Sequence, residues 1–117
     1  MKLRIEDNSL RLRLSEAEVT AFAATGQVAA AVQLAPGQAL QYSLERAAVA
    51  TVAVRYEPGC LAVLVPAAVA DAWTGSAQVG FSEKIAVGEN QPENQAVEQA
   101  APGWLRVLVE KDLGCRH

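Results

Sequence analysis

Apolar and charged residues alternate along the start of the chain, on both sides of a short polar break. The segment reads Lys2-Leu3-Arg4-Ile5-Glu6, then Asp7-Asn8-Ser9, then Leu10-Arg11-Leu12-Arg13-Leu14. Strict alternation around a turn sequence is typical of a β-hairpin, and residues two apart lie on the same side of a strand. The pattern therefore predicts a hairpin with a charged face and a core-facing face made of Leu3, Ile5, Leu10, Leu12 and Leu14.

A capped helix is predicted directly after this hairpin. Ser15 and Glu18 form a capping box, in which the serine hydroxyl accepts from the Glu18 amide and the glutamate carboxylate accepts from the Ser15 amide. Leu14 and Val19 stand at the two positions of a hydrophobic staple. Gly26 supplies a left-handed stop at the helix end.

Two further hairpins are predicted in the middle of the chain. Their strands are residues 27–34, 40–45, 48–56 and 60–65. The connecting segments contain Pro36-Gly37 and Pro58-Gly59, and a Pro-Gly pair suits a type II turn. Short loops of this kind join antiparallel neighbours. The run 61–65 is apolar on both faces, which is typical of a central, covered strand.

The last third of the chain predicts a helix, short strands and a polar loop. The helix is 66–73, opened by Pro66, and the strands are 79–81, 85–87 and 104–109. Residues 89–103 are rich in Asn, Gln, Glu and Pro, which predicts a mobile polar loop. The sequence contains no apparent internal repeat.

Together these elements predict an α+β fold: a twisted antiparallel sheet, curled or barrel-like, with two short helices on one face or one end. The 117 residues suit a single domain spanning 1–117. Hydrophobic residues make up 51% of the chain but aromatic residues only 5%. Alanine and the branched aliphatic residues are therefore expected to form most of the core.

The charge balance and the lengths of the apolar runs exclude some classes of protein. A net charge of −3 argues against a general nucleic-acid binder, which needs a surplus of cations to displace phosphate counterions. No apolar run approaches the roughly 20 residues that cross a bilayer, and the N-terminus lacks the apolar stretch of a signal peptide. We therefore expect no membrane partner and a cytoplasmic location.

Histidine and cysteine offer little basis for catalysis or metal binding. The one histidine, His117, is the last residue, so a Ser-His-Asp or Cys-His arrangement would depend on a chain end. Cys60, Cys115 and His117 are three metal-ligating types, but their spacing does not match zinc-binding pairs. The favoured interpretation is two free thiols, with Cys60 part-buried. No catalytic residue, metal site or cofactor is predicted.

The charged face of the first hairpin is the candidate site. Lys2, Arg4, Arg11 and Arg13 share it, and paired residues on antiparallel strands lie about 5 Å apart. Such close cations repel one another unless carboxylates or bound anions lie between them. The simpler interpretation is a solvated face neutralised from neighbouring strands; the alternative is a site for a phosphate or carboxylate. The candidate charge partners are Glu6, Glu45, Glu110 and Lys111.

The aromatic residues carry no separate functional prediction. Trp73 and Trp104 are interpreted as packing residues rather than ligand platforms. Tyr42 and Tyr56 fall on different predicted hairpins and could line a pocket.

The chain resembles a family of small bacterial proteins of unknown function. The N-terminal string carries most of the resemblance, and later segments follow the same pattern over nearly the whole chain. These segments are Met1-Lys2-Leu3-Arg4-Ile5, Asn8-Ser9-Leu10-Arg11, Arg13-Leu14-Ser15, Val65-Pro66, Trp73, Val79-Gly80-Phe81 and Leu108-Val109-Glu110-Lys111-Asp112 ahead of Cys115. The resemblance implies a shared fold and no particular chemistry.

A remoter similarity links the chain to the triphosphate-tunnel enzymes. Those are antiparallel barrels in which rows of Lys, Arg and Glu surround a polyphosphate and its metal, and Arg11-x-Arg13 and Glu110-x-Asp112 are similar to such rows. The family's N-terminal Glu-x-Glu-x-Lys motif is absent, because residues 2–6 contain one acid where two are required. The similarity is an analogy.

Two classes of function follow from these patterns. The favoured one is a non-enzymatic binding or assembly module, with a homodimer as a candidate state, acting through a sheet surface or an edge strand. The alternative is an anion- or phosphate-binding protein or a phosphohydrolase-like enzyme. It would use Arg4, Arg11 and Arg13, with Glu6 or Glu110 holding a divalent metal.

Overall fold

Eight strands and two helices make up the part of the chain that the structure, a computed structural model, describes: residues 1–86 and 103–112. In chain order they are β1 (Lys2–Glu6), β2 (Ser9–Leu14), α1 (Glu16–Thr25), β3 (Gln27–Ala35), β4 (Gln38–Ala47), β5 (Ala53–Glu57), β6 (Cys60–Pro66), α2 (Ala67–Thr74), β7 (Gly80–Ala86) and β8 (Trp104–Lys111). The predicted α+β class is confirmed. The predicted polar loop 89–103 lies outside the described residues apart from Gly103.

The strands form two four-stranded sheets rather than one. The first sheet has the order β1-β2-β8-β7 and the second has the order β3-β4-β6-β5. In each sheet the outer pairs are antiparallel, while the two central strands run parallel to each other. Neither sheet closes into a barrel. The predicted antiparallel hairpins are present, but a barrel is not, and the two parallel pairings were not predicted because they join strands distant in sequence.

The two halves of the chain have the same architecture. Each half runs strand, strand, helix, strand, strand, so β1–β4 with α1 correspond to β5–β8 with α2. The pairing registers also correspond: Lys2 opposite Arg13 matches Ala53 opposite Leu64. Each sheet combines one strand pair from each half. The chain is therefore a structural repeat, so the prediction of no internal repeat is wrong; the aligned segments share Arg4 with Arg55, Glu6 with Glu57 and Leu10 with Leu61.

The core collects side chains from both sheets and both helices. Leu12, Leu14, Leu44, Val63, Val65, Val107 and Val109 are buried from the central strands. Phe22 in α1 and Trp73 in α2 hold corresponding places in the two halves, and their ring centroids lie 6.1 Å apart. The Trp73 Nε1–H donates to the Val79 carbonyl at 3.0 Å. The packing role predicted for Trp73 is confirmed.

The local signals at the first helix and the turns are reproduced in the structure. Ser15 Oγ accepts from the Glu18 amide at 3.2 Å, and Glu18 Oε1 accepts from the Ser15 amide at 2.8 Å. Gly26 ends α1 with φ 83°, in the left-handed region that favours glycine. The second-half strand predicted to begin at residue 48 starts later, at Ala53. The short strands predicted at 79–81 and 85–87 are one strand, β7.

The apolar face of the first hairpin is buried except at its far end. Leu10, Leu12 and Leu14 are buried, but Ile5 is 63% exposed, so its predicted core position is wrong. Ile5 lies on edge strand β1 beside the turn, beyond the reach of the core. Among the described residues no helix is long and apolar enough to cross a membrane.

Candidate anion-binding site

The charged side chains of the first sheet gather on the face that points away from the core. Leu12 and Val109 are buried on one side, so their neighbours Arg13 and Glu110 point to the other side. The pairing places cations side by side across the strands of this face. We call the six cations of this surface the basic face: Lys2, Arg4, Arg11, Arg13, Lys84 and Arg106.

The four predicted cations line one pocket on this face. Its volume is about 200 Å³, and its lining residues are Lys2, Arg4, Arg11 and Arg13. Register explains the grouping, because Lys2 lies opposite Arg13 and Arg4 lies opposite Arg11. The two β1 side chains are 74% and 63% exposed, against 33% and 42% for the two on β2. The pocket is therefore open to solvent on the β1 side.

Glu110 is the carboxylate that lies beside the two β2 arginines. The parallel pairing of β2 with β8 places it beside Arg13. Its Oε1 accepts from Arg11 Nε at 3.1 Å and from Arg11 Nη2 at 2.9 Å. The same oxygen lies 3.6 Å from Arg13 Nε. One carboxylate oxygen thus faces two guanidinium groups, and it cannot neutralise both.

Arg13 has a buried hydrogen-bond donor, Nε, without an acceptor among the described residues. The 3.6 Å separation from Glu110 exceeds the usual N–H···O distance of about 2.7–3.2 Å. A buried donor without an acceptor costs about 1–3 kcal/mol. An anion oxygen in the pocket would supply the missing acceptor.

The remaining ion pairs of the basic face are exposed. Lys2 Nζ donates to Asp112 Oδ2 at 3.1 Å, and Arg4 Nε lies 3.7 Å from Glu6 Oε1. Exposed pairs of this kind contribute about 0–1 kcal/mol, so a bound anion can compete with them. Within residues 1–86 and 103–112, neither Lys84 nor Arg106 has a carboxylate partner within ion-pair distance.

A glycine lets β7 approach the carboxylate of this site closely. Gly80 pairs with Glu110, and a Cβ at position 80 would lie 2.6 Å from the Val109 carbonyl oxygen and 2.9 Å from Glu110 Cγ. Real Cβ atoms do not approach other atoms so closely. The absence of a side chain at Gly80 therefore helps to set the position of Glu110.

The second half of the chain indicates which of these charges the fold itself requires. Two charged residues have charged counterparts, since Arg4 corresponds to Arg55 and Glu110 corresponds to Glu45. Arg55 and Glu45 lie 3.4 Å apart in the second sheet, whereas in the first sheet Arg4 lies near Glu6 and Glu110 accepts from Arg11. The other three pocket cations have no charged counterpart. The residues that correspond to Lys2, Arg11 and Arg13 are Ala53, Ala62 and Leu64. The same strand pairing therefore forms with small and apolar residues at these positions.

Other residues singled out in the sequence lie elsewhere. Lys111 is on the opposite side of β8, where its Nζ donates to the Ser76 carbonyl at 2.8 Å and lies 5.8 Å from the Trp73 ring centroid. Glu45 belongs to the second sheet, where it accepts from Ser43 Oγ at 2.8 Å. Neither residue contributes to the pocket of the basic face.

The candidate metal ligands are not brought together in the described part of the chain. Cys60 is a free and exposed thiol on the second sheet rather than a part-buried one, and Cys115 and His117 lie outside the described residues. Within the described ranges no group of three or more His, Cys, Asp or Glu side chains could hold a metal. Tyr42 lines a separate pocket of about 220 Å³ on the second sheet, and Tyr56 is 65% exposed.

Sequence reasoning did not include two cations of the basic face or a tryptophan on the same side of the sheet. Lys84 and Arg106 pair across β7 and β8, and Trp104 lies two residues before Arg106 on the same side of β8. Trp104, interpreted from the sequence as a packing residue, is 55% exposed. The alternation of Trp104, Arg106 and Glu110 along one strand was a usable signal. What the sequence lacked was the pairing of that strand with β2.

The comparisons with known proteins give a family and no chemistry. A model of the family of unknown function DUF7009 matches residues 1–117, so the chain belongs to that family. No curated protein and no solved structure matches the chain. A connection to the triphosphate-tunnel enzymes is not found.

Proposed function

We propose that this DUF7009 protein is a non-enzymatic binding module that holds a small phosphate- or carboxylate-bearing anion on its basic face. The observation that carries the proposal is the pocket lined by Lys2, Arg4, Arg11 and Arg13, in which the buried Arg13 Nε lacks an acceptor among the described residues. Guanidinium groups suit this ligand because their planar donors match the oxygens of phosphate and carboxylate.

The distribution of charge supports an anionic ligand. The chain has ten Lys and Arg residues and a net charge of −3, yet six of those ten residues belong to the basic face. An overall negative protein repels polyanions at long range, while a local cluster of cations attracts a small anion at short range. Lys2, Arg11 and Arg13 are also dispensable for strand pairing, as their counterparts in the second half indicate.

Binding is favoured over catalysis because the carboxylates beside the pocket already have cationic partners. Glu110 accepts from Arg11, Glu6 lies near Arg4 and Asp112 accepts from Lys2. A general base needs a carboxylate that can take a proton from substrate or water. Carboxylate oxygens that already contact guanidinium and ammonium groups are less available to a substrate or a water molecule.

A thermal-shift experiment with pyrophosphate and citrate tests the proposal. A ligand that binds the folded state raises its stability by RT ln(1 + [L]/Kd), so we expect millimolar pyrophosphate to raise the Tm. The double variant Arg11→Ala with Arg13→Leu copies the residues at the corresponding second-half positions, so we expect it to fold and to lose the shift.

The chain offers a matched control for this experiment. Arg55 corresponds to Arg4 but lies on the second sheet, so Arg55→Ala should keep the full shift while Arg4→Ala reduces it. The proposal is overturned if neither anion shifts the Tm of the unaltered protein, or if the double variant responds as strongly as the unaltered protein.

A second candidate function, self-association into a homodimer, is supported by the edge strand β3. This strand spans nine residues, contains no charged residue, and exposes Val32 and Leu34 by 42% and 68%. The other edge strands, β1, β5 and β7, each contain both an acid and a cation. Charges on an edge discourage pairing with another chain. We propose that two copies pair through β3 about a twofold axis.

Light scattering and sedimentation across a concentration series test this assembly. We expect a dimer, and we expect Val32→Lys to convert it to a monomer because each dimer would then bury two ammonium groups. Ile5→Lys, at an exposed position on edge strand β1, is the control that should leave the dimer intact. A monomer at hundreds of micromolar protein would exclude the second candidate.

A further inference from the structure

We infer that the anion bound by the basic face carries an aromatic ring, and that the ring stacks on Trp104 while the phosphates contact the cations. The ligand class is an aromatic phosphate, of which a nucleoside diphosphate is the natural probe. The inference rests on the proposed anion site. It adds an aromatic ring to the ligand, since the pocket of Lys2, Arg4, Arg11 and Arg13 accounts only for the anionic group.

Trp104 and the cations share one surface. Trp104 and Arg106 are two residues apart on β8, so they lie on the same side of the sheet about 6.6–6.8 Å apart along the strand. Lys84 lies directly opposite Arg106 on β7. Leu108 follows Arg106 on this side and lies beside Arg11 of the pocket. A ring over Trp104 would therefore lie two residues along β8 from Arg106, which pairs with Lys84. It would lie four residues along β8 from Leu108, which pairs with Arg11.

The position of Trp104 is held by the turn of the first hairpin. Asn8 Nδ2 donates to the Trp104 carbonyl at 2.7 Å, and the Arg106 amide donates to the Asn8 carbonyl at 3.1 Å. These bonds anchor the start of β8 to the turn between β1 and β2. A backbone held in place before binding loses less conformational freedom when the ligand arrives, which favours affinity.

The burial of the two tryptophans separates their roles. Trp73 is fully buried in the core, whereas Trp104 is 55% exposed and lies two residues from Arg106, which pairs with Lys84. Aromatic side chains stack on nucleobases regardless of base identity, because every base has a π face. Arg106 and Lys84 have no ion-pair partner within residues 1–86 and 103–112 and can reach phosphate oxygens near the ring.

A small ligand fits these observations better than a nucleic acid. Glu6 and Glu110 lie beside cations of the basic face, and the whole chain has a net charge of −3. A long polyanion would contact these acids and the other acidic residues of the protein and would be repelled by them. A nucleotide is small enough to contact only Trp104 and cations of the basic face. Binding of a single-stranded oligonucleotide in place of a mononucleotide would contradict this choice.

The buried and exposed tryptophans make fluorescence a direct test. We expect ADP to change the emission of the unaltered protein through Trp104, and pyrophosphate to change it much less. Stacking is removed in Trp104→Ala, so we expect ADP affinity to fall about five- to 150-fold while pyrophosphate affinity stays unchanged when both are measured by calorimetry. Trp104→Phe should retain most of the ADP affinity. Tyr56→Ala removes an exposed aromatic from the second sheet and should change neither affinity.

The outcomes separate this inference from the proposed function. If pyrophosphate and ADP bind equally well and Trp104→Ala affects neither, the anion site stands and the stacking inference is overturned. If ADP binds more tightly but Trp104→Ala leaves that advantage intact, the ring lies elsewhere and the inference is also overturned. If neither ligand binds the unaltered protein, both the proposed function and the inference fail.

Discussion

At the scale of single residues, the proposed anion site depends most on Glu110. Its Oε1 accepts from Arg11 Nη2 at 2.9 Å and lies 3.6 Å from Arg13 Nε, two groups that also line the pocket. The carboxylate and the ligand therefore compete for the same guanidinium donors. A phosphohydrolase-like enzyme would instead need Glu110 to hold a metal, so the two functions require opposite roles of this residue.

Replacing this carboxylate distinguishes the two roles. We expect Glu110→Gln to raise the affinity for pyrophosphate about tenfold, because a competing negative charge is removed while the side-chain volume is kept. Calorimetry without and with Mg²⁺ measures the change. A loss of affinity, or binding that depends on Mg²⁺ only in the unaltered protein, would contradict the binding role and favour the metal-dependent alternative.

Glu18 links the first helix to the chain start and gives a prediction for pH. Burial alone raises the pKa of Glu18, but hydrogen bonds from the Met1 ammonium and from Ser15, with the ammonium charge, outweigh it and bring the pKa below its ordinary value. A lowered pKa in the folded protein means that ionised Glu18 stabilises the fold. This contribution is present above the ordinary pKa of 4.5 and is lost as the pH falls through the folded value.

Denaturation at a series of pH values checks this link. We expect the free energy of unfolding to decrease from about pH 4.5 downward, and Glu18→Gln to be less stable than the unaltered protein above that pH and to lose less on acidification. Glu16→Gln is the control, since Glu16 lies in the same helical turn but outside the capping box. An unchanged pH profile in Glu18→Gln would exclude the proposed contribution.

At the scale of elements, the close approach of β7 to β8 determines the spacing of the strands beneath Glu110. Gly80 has no room for a Cβ, because the Val109 carbonyl oxygen would lie 2.6 Å from it. Since that obstacle is backbone, relief requires the two strands to move apart. Glu110 follows Val109 directly and would move with it.

A single methyl group at this position is therefore expected to destabilise the protein. We expect Gly80→Ala to lower the free energy of unfolding by about 1–3 kcal/mol, measured by urea denaturation. Gly103→Ala is the matched control, because a Cβ at that position meets nothing within 4 Å. Equal stability of Gly80→Ala and the unaltered protein would show that β7 and β8 are not held as closely as described.

Much of the local structure was predictable because its causes are local. The alternation before Leu14, the capping box of Ser15 and Glu18, and the two Pro-Gly turns each depend on residues close together in the sequence. The shared face of Lys2, Arg4, Arg11 and Arg13 was predicted from the alternation alone, and the structure pairs Lys2 with Arg13 and Arg4 with Arg11.

The rest of the site depends on contacts between distant segments. The parallel pairing of β2 with β8 brings β8 beside the first hairpin. Glu110, Arg106 and Trp104 thereby lie on the same side of the sheet as the four predicted cations. Parallel neighbouring strands are joined by a long connection, so they are far apart in the sequence. The pattern of residues within one short segment therefore cannot specify which strands pair. The exposure of Ile5 has a similar cause, because it depends on where the two sheets and the helices end around the core.

At the scale of the whole molecule, the repeated architecture allows each position in one half to be compared with the corresponding position in the other half. The two halves share strand order and register, so corresponding positions experience similar backbone constraints. One half places Arg11 and Arg13 where the other has Ala62 and Leu64. Because the second sheet forms without cations at these positions, strand pairing does not require Arg11 and Arg13.

Calorimetric titration of pyrophosphate into the unaltered protein and into the Arg11→Ala, Arg13→Leu double variant tests this account most directly. We predict saturable binding to the unaltered protein that weakens as salt is added, since the contacts are charge-assisted and solvent-accessible. We predict no measurable binding to the double variant, with its melting transition still cooperative. Equal binding by both proteins, or none by the unaltered protein, would contradict the assignment of the basic face as an anion site.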